Sequence, residues 1–218
     1  MKLFKRIARW AACCGSLCAA LAAQAGTITG SAHDFTGQSW SGGRICVACH
    51  APHKTDTSVA DAPLWNHALS TASYTLYSSP TLNATVTQPG GGSKLCLSCH
   101  DGTVAVNSFG GVTGTTMVSG GNNLGTNLKS SHPIGFTYDS SLATADGSLH
   151  DPASKTVTIG AGTQTKTGTI SSVLLYGGKM ECGSCHDVHN TFTVGSAGSG
   201  LVKVDQTGSR ICLSCHNK

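Results

Sequence analysis

The sequence predicts a chain of mostly irregular coil with short helices and a few short β-strands, its interior filled by something other than side chains. Three observations carry this expectation. Twenty-eight glycines and 6% aromatic residues in a chain of 218 supply few bulky apolar groups for a core of that size. Stretches rich in Gly, Ser, Thr and Asn interrupt the segments in which a helical or strand period begins. Eleven cysteines and ten histidines stand out against a charged fraction of only 11%. That low charge, without a block of one sign, argues against a nucleic-acid-binding surface and against polyampholyte disorder.

The first element is a leader. Lys2, Lys5, Arg6 and Arg9 precede an uncharged, mostly apolar run from Trp10 to Ala23, and Ala23-Gln24-Ala25 has the small-x-small form of a signal-peptidase site. Residues 1–25 are read as a cleaved Sec signal peptide, and residues 26–218 as the exported chain. The apolar run is shorter than the roughly 20 residues a spanning helix needs, so no membrane span is expected after cleavage. Cleavage removes those basic residues from a total of 14 and leaves ten against ten acidic residues, a formally neutral polypeptide. It also removes Cys13, Cys14 and Cys18, leaving eight of the eleven cysteines.

Each of the eight sits in a repeated pentapeptide. These are Cys46-Val47-Ala48-Cys49-His50, Cys96-Leu97-Ser98-Cys99-His100, Cys182-Gly183-Ser184-Cys185-His186 and Cys212-Leu213-Ser214-Cys215-His216. C-x-x-C-H is the covalent attachment pattern of c-type haem: two thiols add to the vinyl groups, and the next imidazole binds iron. Two thioethers on neighbouring edges of the ring fix one turn of backbone beneath it, which aims the histidine at the metal. Zinc sites, redox disulfides and structural disulfides also use paired cysteines, but none requires the histidine. Chance would place histidine after all four pairs only about once in a hundred thousand chains of this composition. Four haem c groups are therefore expected, with the chain wrapped around them as its core.

Proximal ligands are then His50, His100, His186 and His216. Six histidines lie outside the motifs: His33, His53, His67, His132, His150 and His189. Only Met117 and Met180 remain as methionine ligands, so bis-histidine ligation is expected throughout. His53 and His189 each follow a proximal histidine by three residues, in His50-Ala51-Pro52-His53 and His186-Asp187-Val188-His189. Such an imidazole cannot curl to the far face of its own haem, and should bind a neighbouring one. His67 follows Trp65, which could pack on a porphyrin; His132 opens the stiff corner His132-Pro133; His33 stands near the mature N-terminus. His150, beside Asp151-Pro152, reads as solvated. Five candidates remain for four distal positions.

The motifs form two similar halves, about 26–110 and 111–218, each a C-x-x-C-H followed three residues on by His and then a plain C-x-x-C-H. Arg44, Lys94 and Arg210 precede three of the motifs and are candidates for pairing with haem propionates. Single helical turns are expected at the motifs and a short helix near Trp65 to Thr71. Short strands are expected at Thr156-Val157-Thr158-Ile159 and Val173-Leu174-Leu175-Tyr176.

With these residues in view, the chain resembles the multihaem c-type cytochromes that carry doubled C-x-x-C-H motifs. More narrowly it is similar to the tetrahaem cytochromes that polymerise into extracellular filaments. The likeness rests on His33-Asp34, Ile45 to His53, Pro63 to His67, Leu95 to Gly102, His132 to Phe136, Glu181 to Asn190 and Ile211 to Lys218. It implies stacked haems along a head-to-tail polymer of identical copies, and a histidine, His53 or His33, that ligates a haem of the adjacent subunit. The expected function is extracellular electron transfer to redox partner proteins or extracellular acceptors. A monomeric periplasmic tetrahaem carrier is the alternative, and a multihaem reductase a third reading. Sealed iron, with no C-x-x-C-K variant, flavin fingerprint or nucleotide loop, argues against an enzyme.

Overall fold

The computed structural model describes residues 27–53, 55–57, 62, 64–195 and 200–218. The expected signal peptide lies outside the described residues, as does Pro63. Most of the described backbone is coil and turn. The helices are α1 (Gly91–His100), α2 (Ser140–Asp146), α3 (Ile170–Val173), α4 (Cys182–Cys185) and α5 (Arg210–Leu213). The strands are β1 (Phe136–Thr137), β2 (Thr156–Ala161), β3 (Gln164–Thr169) and β4 (Lys179–Met180). Among the described residues no helix is long and apolar enough to cross a membrane.

The longest helix, α1, buries Ser93, Leu97 and Ser98. Ser98 returns its hydroxyl to the Lys94 carbonyl at 2.8 Å, and the Ser93 hydroxyl accepts the Cys182 N–H at 2.9 Å. Small hydroxyl side chains on this face let α4 pack close against α1. A cap and a stop delimit α2: Asp139 accepts the Leu142 N–H at 2.8 Å, and Gly147 ends the helix at φ 70°. Sequence reading overlooked this helix, although Asp139 and Gly147 stand in cap and stop positions.

The strand expected at Thr156 to Ile159 is present and runs on to Ala161 as β2, paired antiparallel with β3 through a two-residue turn at Gly162-Thr163. Val157 and Ile159 point inward while Thr156 and Thr158 face solvent. The strand expected at Val173 to Tyr176 is not formed. Ile170, Val173 and Leu174 recur at helical spacing and are all buried; α3 takes the first of these positions, and the Leu174 N–H donates to the Ile170 carbonyl at 2.9 Å. The helix expected near Trp65 to Thr71 is absent too, because its donors are used elsewhere. Asn66 N–H bonds the Cys49 carbonyl and Ala68 N–H the Ser108 carbonyl, each at 2.8 Å, and Ser70 N–H bonds the Ser98 hydroxyl at 3.0 Å.

A side-chain core exists around the hairpin, larger than composition suggested. Phe136, Tyr138, Val157, Ile159, Ile170, Leu174 and Met180 belong to one buried cluster. A smaller cluster of Tyr74, Leu97 and Leu128 lies behind α1. The second motif enters the smaller cluster through Leu97, and Cys215 of the fourth packs against the larger one.

Candidate functional site

Each motif folds as one tight turn. His50, His186 and His216 donate their backbone N–H to the carbonyl of the first cysteine of their motif at 2.8, 3.1 and 2.8 Å. His100 closes α1, which contains the whole second motif. Isolated β-bridges then pin three of these histidines: His50 to Trp65, His186 to Val202 and His216 to Leu149. The third motif is reinforced by a capping box, in which the Glu181 N–H donates to the Ser184 hydroxyl at 3.0 Å.

The imidazoles are set for metal. Nδ1 of His100 lies 2.8 Å from the Asn122 carbonyl, Nδ1 of His186 lies 2.6 Å from the Gly200 carbonyl, and Nδ1 of His132 lies 3.0 Å from the Pro133 carbonyl. A carbonyl can only accept, so each Nδ1 carries the proton and each Nε2 keeps its lone pair.

Three histidine pairs face one another. Ring centroids are 6.0 Å apart for His33 and His100, 6.3 Å for His50 and His189, and 6.4 Å for His132 and His216. A metal ion between two imidazoles, bonded to each nitrogen at about 2 Å, holds the centroids roughly 6 Å apart. The spacing therefore fits one iron between each pair. His33 carries a buried Nδ1 without a hydrogen-bond partner. Burial first, then the like charges of His100, His186 and His189, holds its ring neutral down to about 4, which is the ligand form.

The other expected ligands are placed differently. His67 is buried, with Nδ1 2.7 Å from the Ala68 carbonyl, Nε2 3.0 Å from the Ala105 carbonyl, and the Cys99 sulfur 3.5 Å from Nε2. His53 lies exposed on the turn after the first motif. Among the described residues no histidine ring pairs with His186 at the spacing of the other three pairs. The His150 backbone N–H donates to the Cys215 carbonyl at 2.8 Å, its carbonyl accepts the Tyr138 hydroxyl at 2.6 Å, and its ring acts electrostatically on His216. Of the flanking cations, Arg44 donates to the Ser41 carbonyl at 3.2 Å, and Arg210 makes an exposed ion pair with Asp205 at 3.7 Å.

None of the eight cysteines forms a disulfide, and they fall into one series. Burial and then Cys49 raise the Cys99 thiol to about 12. Cys96 hydrogen-bonds to Cys182, which drives Cys96 up and Cys182 down. Burial raises Cys185, with Cys182 and Cys212 adding to it; burial and then Cys185 raise Cys215 to about 12. Electrostatic influence thus links each motif to the next in sequence order, with a direct hydrogen bond between the second and third. Among the described residues no three His, Cys, Asp or Glu side chains converge as a zinc site requires.

Two aspartates overlooked in the sequence fix the backbone after the motifs. Asp101 accepts from Ser70 at 2.5 Å, Tyr74 at 2.6 Å, and the Thr103 N–H and hydroxyl at 2.8 and 2.7 Å. Asp187 accepts the N–H groups of His189, Thr191 and Phe192 at 3.1, 3.0 and 2.8 Å, and so sets where His189 stands. The repeated Cys-His-Asp of the second and third motifs was the available signal.

Residues 177–218, which hold the third and fourth motifs, match a family model described as the doubled CXXCH motif. No curated protein matches the chain. The doubled motif supports a multihaem c-type cytochrome that carries covalently bound haem and transfers electrons, a class typically exported from the cytoplasm.

Proposed function

We propose that the chain is a tetrahaem c-type cytochrome, a single domain of two dihaem halves, which polymerises outside the cell into a filament that conducts electrons. Haem iron, when bound, takes up and releases one electron. The chain's own part is to hold the attachment points in an unbroken order, to cap iron from both sides and to keep water and substrates away from it. The hydrogen bond between Cys96 and Cys182, with the influence of Cys49 on Cys99 and of Cys212 on Cys185, supports a continuous path.

One observation carries the polymer. His186 lacks a facing ring among the described residues at the spacing of the three pairs, while His53 is exposed and belongs to none of them. His33 is engaged with His100, which leaves His53 as the ligand offered to the His186 site of the next copy. With that position filled, no iron stays open to a substrate, and the protein is a conduit and not an enzyme. Electron microscopy of the secreted native protein tests the reading. Filaments with His53 seated against the neighbouring copy's third motif are expected. Monodisperse particles with four intrachain pairs would replace it with the periplasmic carrier.

A further inference from the structure

Lys203 is only 5% exposed, yet among the described residues its ammonium makes no ion pair. Nζ donates to the Tyr176 hydroxyl at 3.1 Å and lies 5.0 Å from that ring's centroid. Among the described residues the one ion pair joins Arg210 to Asp205. Asp187 shares a cavity of about 290 Å³ with Lys203 and Tyr176, but its oxygens are turned to backbone N–H groups. A buried cation without a counter-charge is costly and is kept only where the surroundings hold it.

The holding is specific. Lys203 donates its N–H to the Cys185 carbonyl and accepts the Gly160 N–H, both at 2.8 Å, which locks it between the third motif and the hairpin. The Tyr176 ring lies across Gly183, where a Cβ would come within 2.9 Å of two ring carbons. The other three motifs carry Val47, Leu97 and Leu213 at that place, so only the third motif admits the tyrosine.

We propose that Lys203, held by Tyr176, is a redox-tuning residue for the haem on Cys182, Cys185 and His186. Its positive charge raises that haem's midpoint potential. The inference rests on the electron-transfer reading. An electron passed from the neighbouring haem oxidises the donor by one unit, reduces this site by one unit and lowers its charge by one. No bond is made and no proton moves, and a fixed cation favours the reduced state.

The test is a spectroelectrochemical titration of the haem-loaded full chain. In Lys203→Met one midpoint is expected to fall, with the reduced-to-oxidised ratio at fixed potential dropping about tenfold, or 59 mV for one electron. The remaining midpoints stay in place, and Lys203→Arg restores the wild-type value. Tyr176→Phe, which removes only the hydroxyl, moves the same midpoint downward by less. Unchanged midpoints in Lys203→Met overturn the proposal. Should that variant fail to accumulate, unchanged midpoints in Tyr176→Phe overturn it as well. A wild-type protein without haem defeats the electron-transfer reading, whereas haem-loaded variants without a shift defeat the tuning alone.

Discussion

His189 faces His50 with ring centroids 6.3 Å apart and planes inclined by only 18°, although it follows His186 by three residues. In the proposed cytochrome the third motif supplies the distal imidazole of the first. Asp187 makes this possible, because the turn it ties with three backbone N–H groups carries His189 outward.

Replacing His189 by Ala should turn one iron from low to high spin without loss of haem, since both thioethers and His50 remain. Electron paramagnetic resonance against a haem count by mass checks this. His132→Ala is expected to do the same at the fourth motif. A fully low-spin spectrum in either variant would refute the pairing.

His53→Ala removes an exposed imidazole outside the three internal pairs. Stability of the isolated chain should change by less than about 0.5 kcal/mol. Assembly should be lost, and light scattering with electron microscopy reads both states. Filaments of normal length from this variant would sink the cross-subunit assignment.

Asp101→Asn should cost about 1–3 kcal/mol, because Ser70, Tyr74 and Thr103 then lose a charged acceptor. Burial raises the Asp101 carboxyl, but the hydrogen bonds from Ser70, Tyr74 and Thr103 outweigh it and hold it below the usual range. Its stabilisation is therefore present above the unfolded value, about 3.9, and is lost as pH falls through the lower folded value. Thermal melts of both forms should converge below that point.

Gly160 has φ +82°, and a Cβ there would overlap the Gln164 carbonyl across the hairpin. Gly160→Ala should therefore destabilise by about 1–3 kcal/mol or more through strain and displaced strands. Thermal denaturation and near-ultraviolet circular dichroism report it.

What the sequence made readable follows a physical line. A covalent attachment needs cysteines at fixed spacing, so all four motifs and their proximal histidines stood out. The hairpin's inward Val157 and Ile159 were visible in the same way, since alternation is local. Distal partners are matters of loop path, and nothing near His33 in the chain announces His100. Lys203 reads as a surface cation until Tyr176 is found above it; the only local hint was Gly183 where the other motifs have Val or Leu. Trp65, expected to pack on a porphyrin, lies buried beside His50 and His67, and the helix expected around it yielded to bonds reaching Cys49 and Ser108.

The pairing of His50 with His189 also bears on how the molecule matures. In the proposed exported cytochrome the leading motif is made first, yet the imidazole that closes it arrives only when most of the polypeptide has been synthesised. A chain arrested midway would hold its earliest cofactor uncapped and vulnerable to oxidants or to quality-control proteases. Completion of synthesis is thereby registered at the opposite end of the polypeptide.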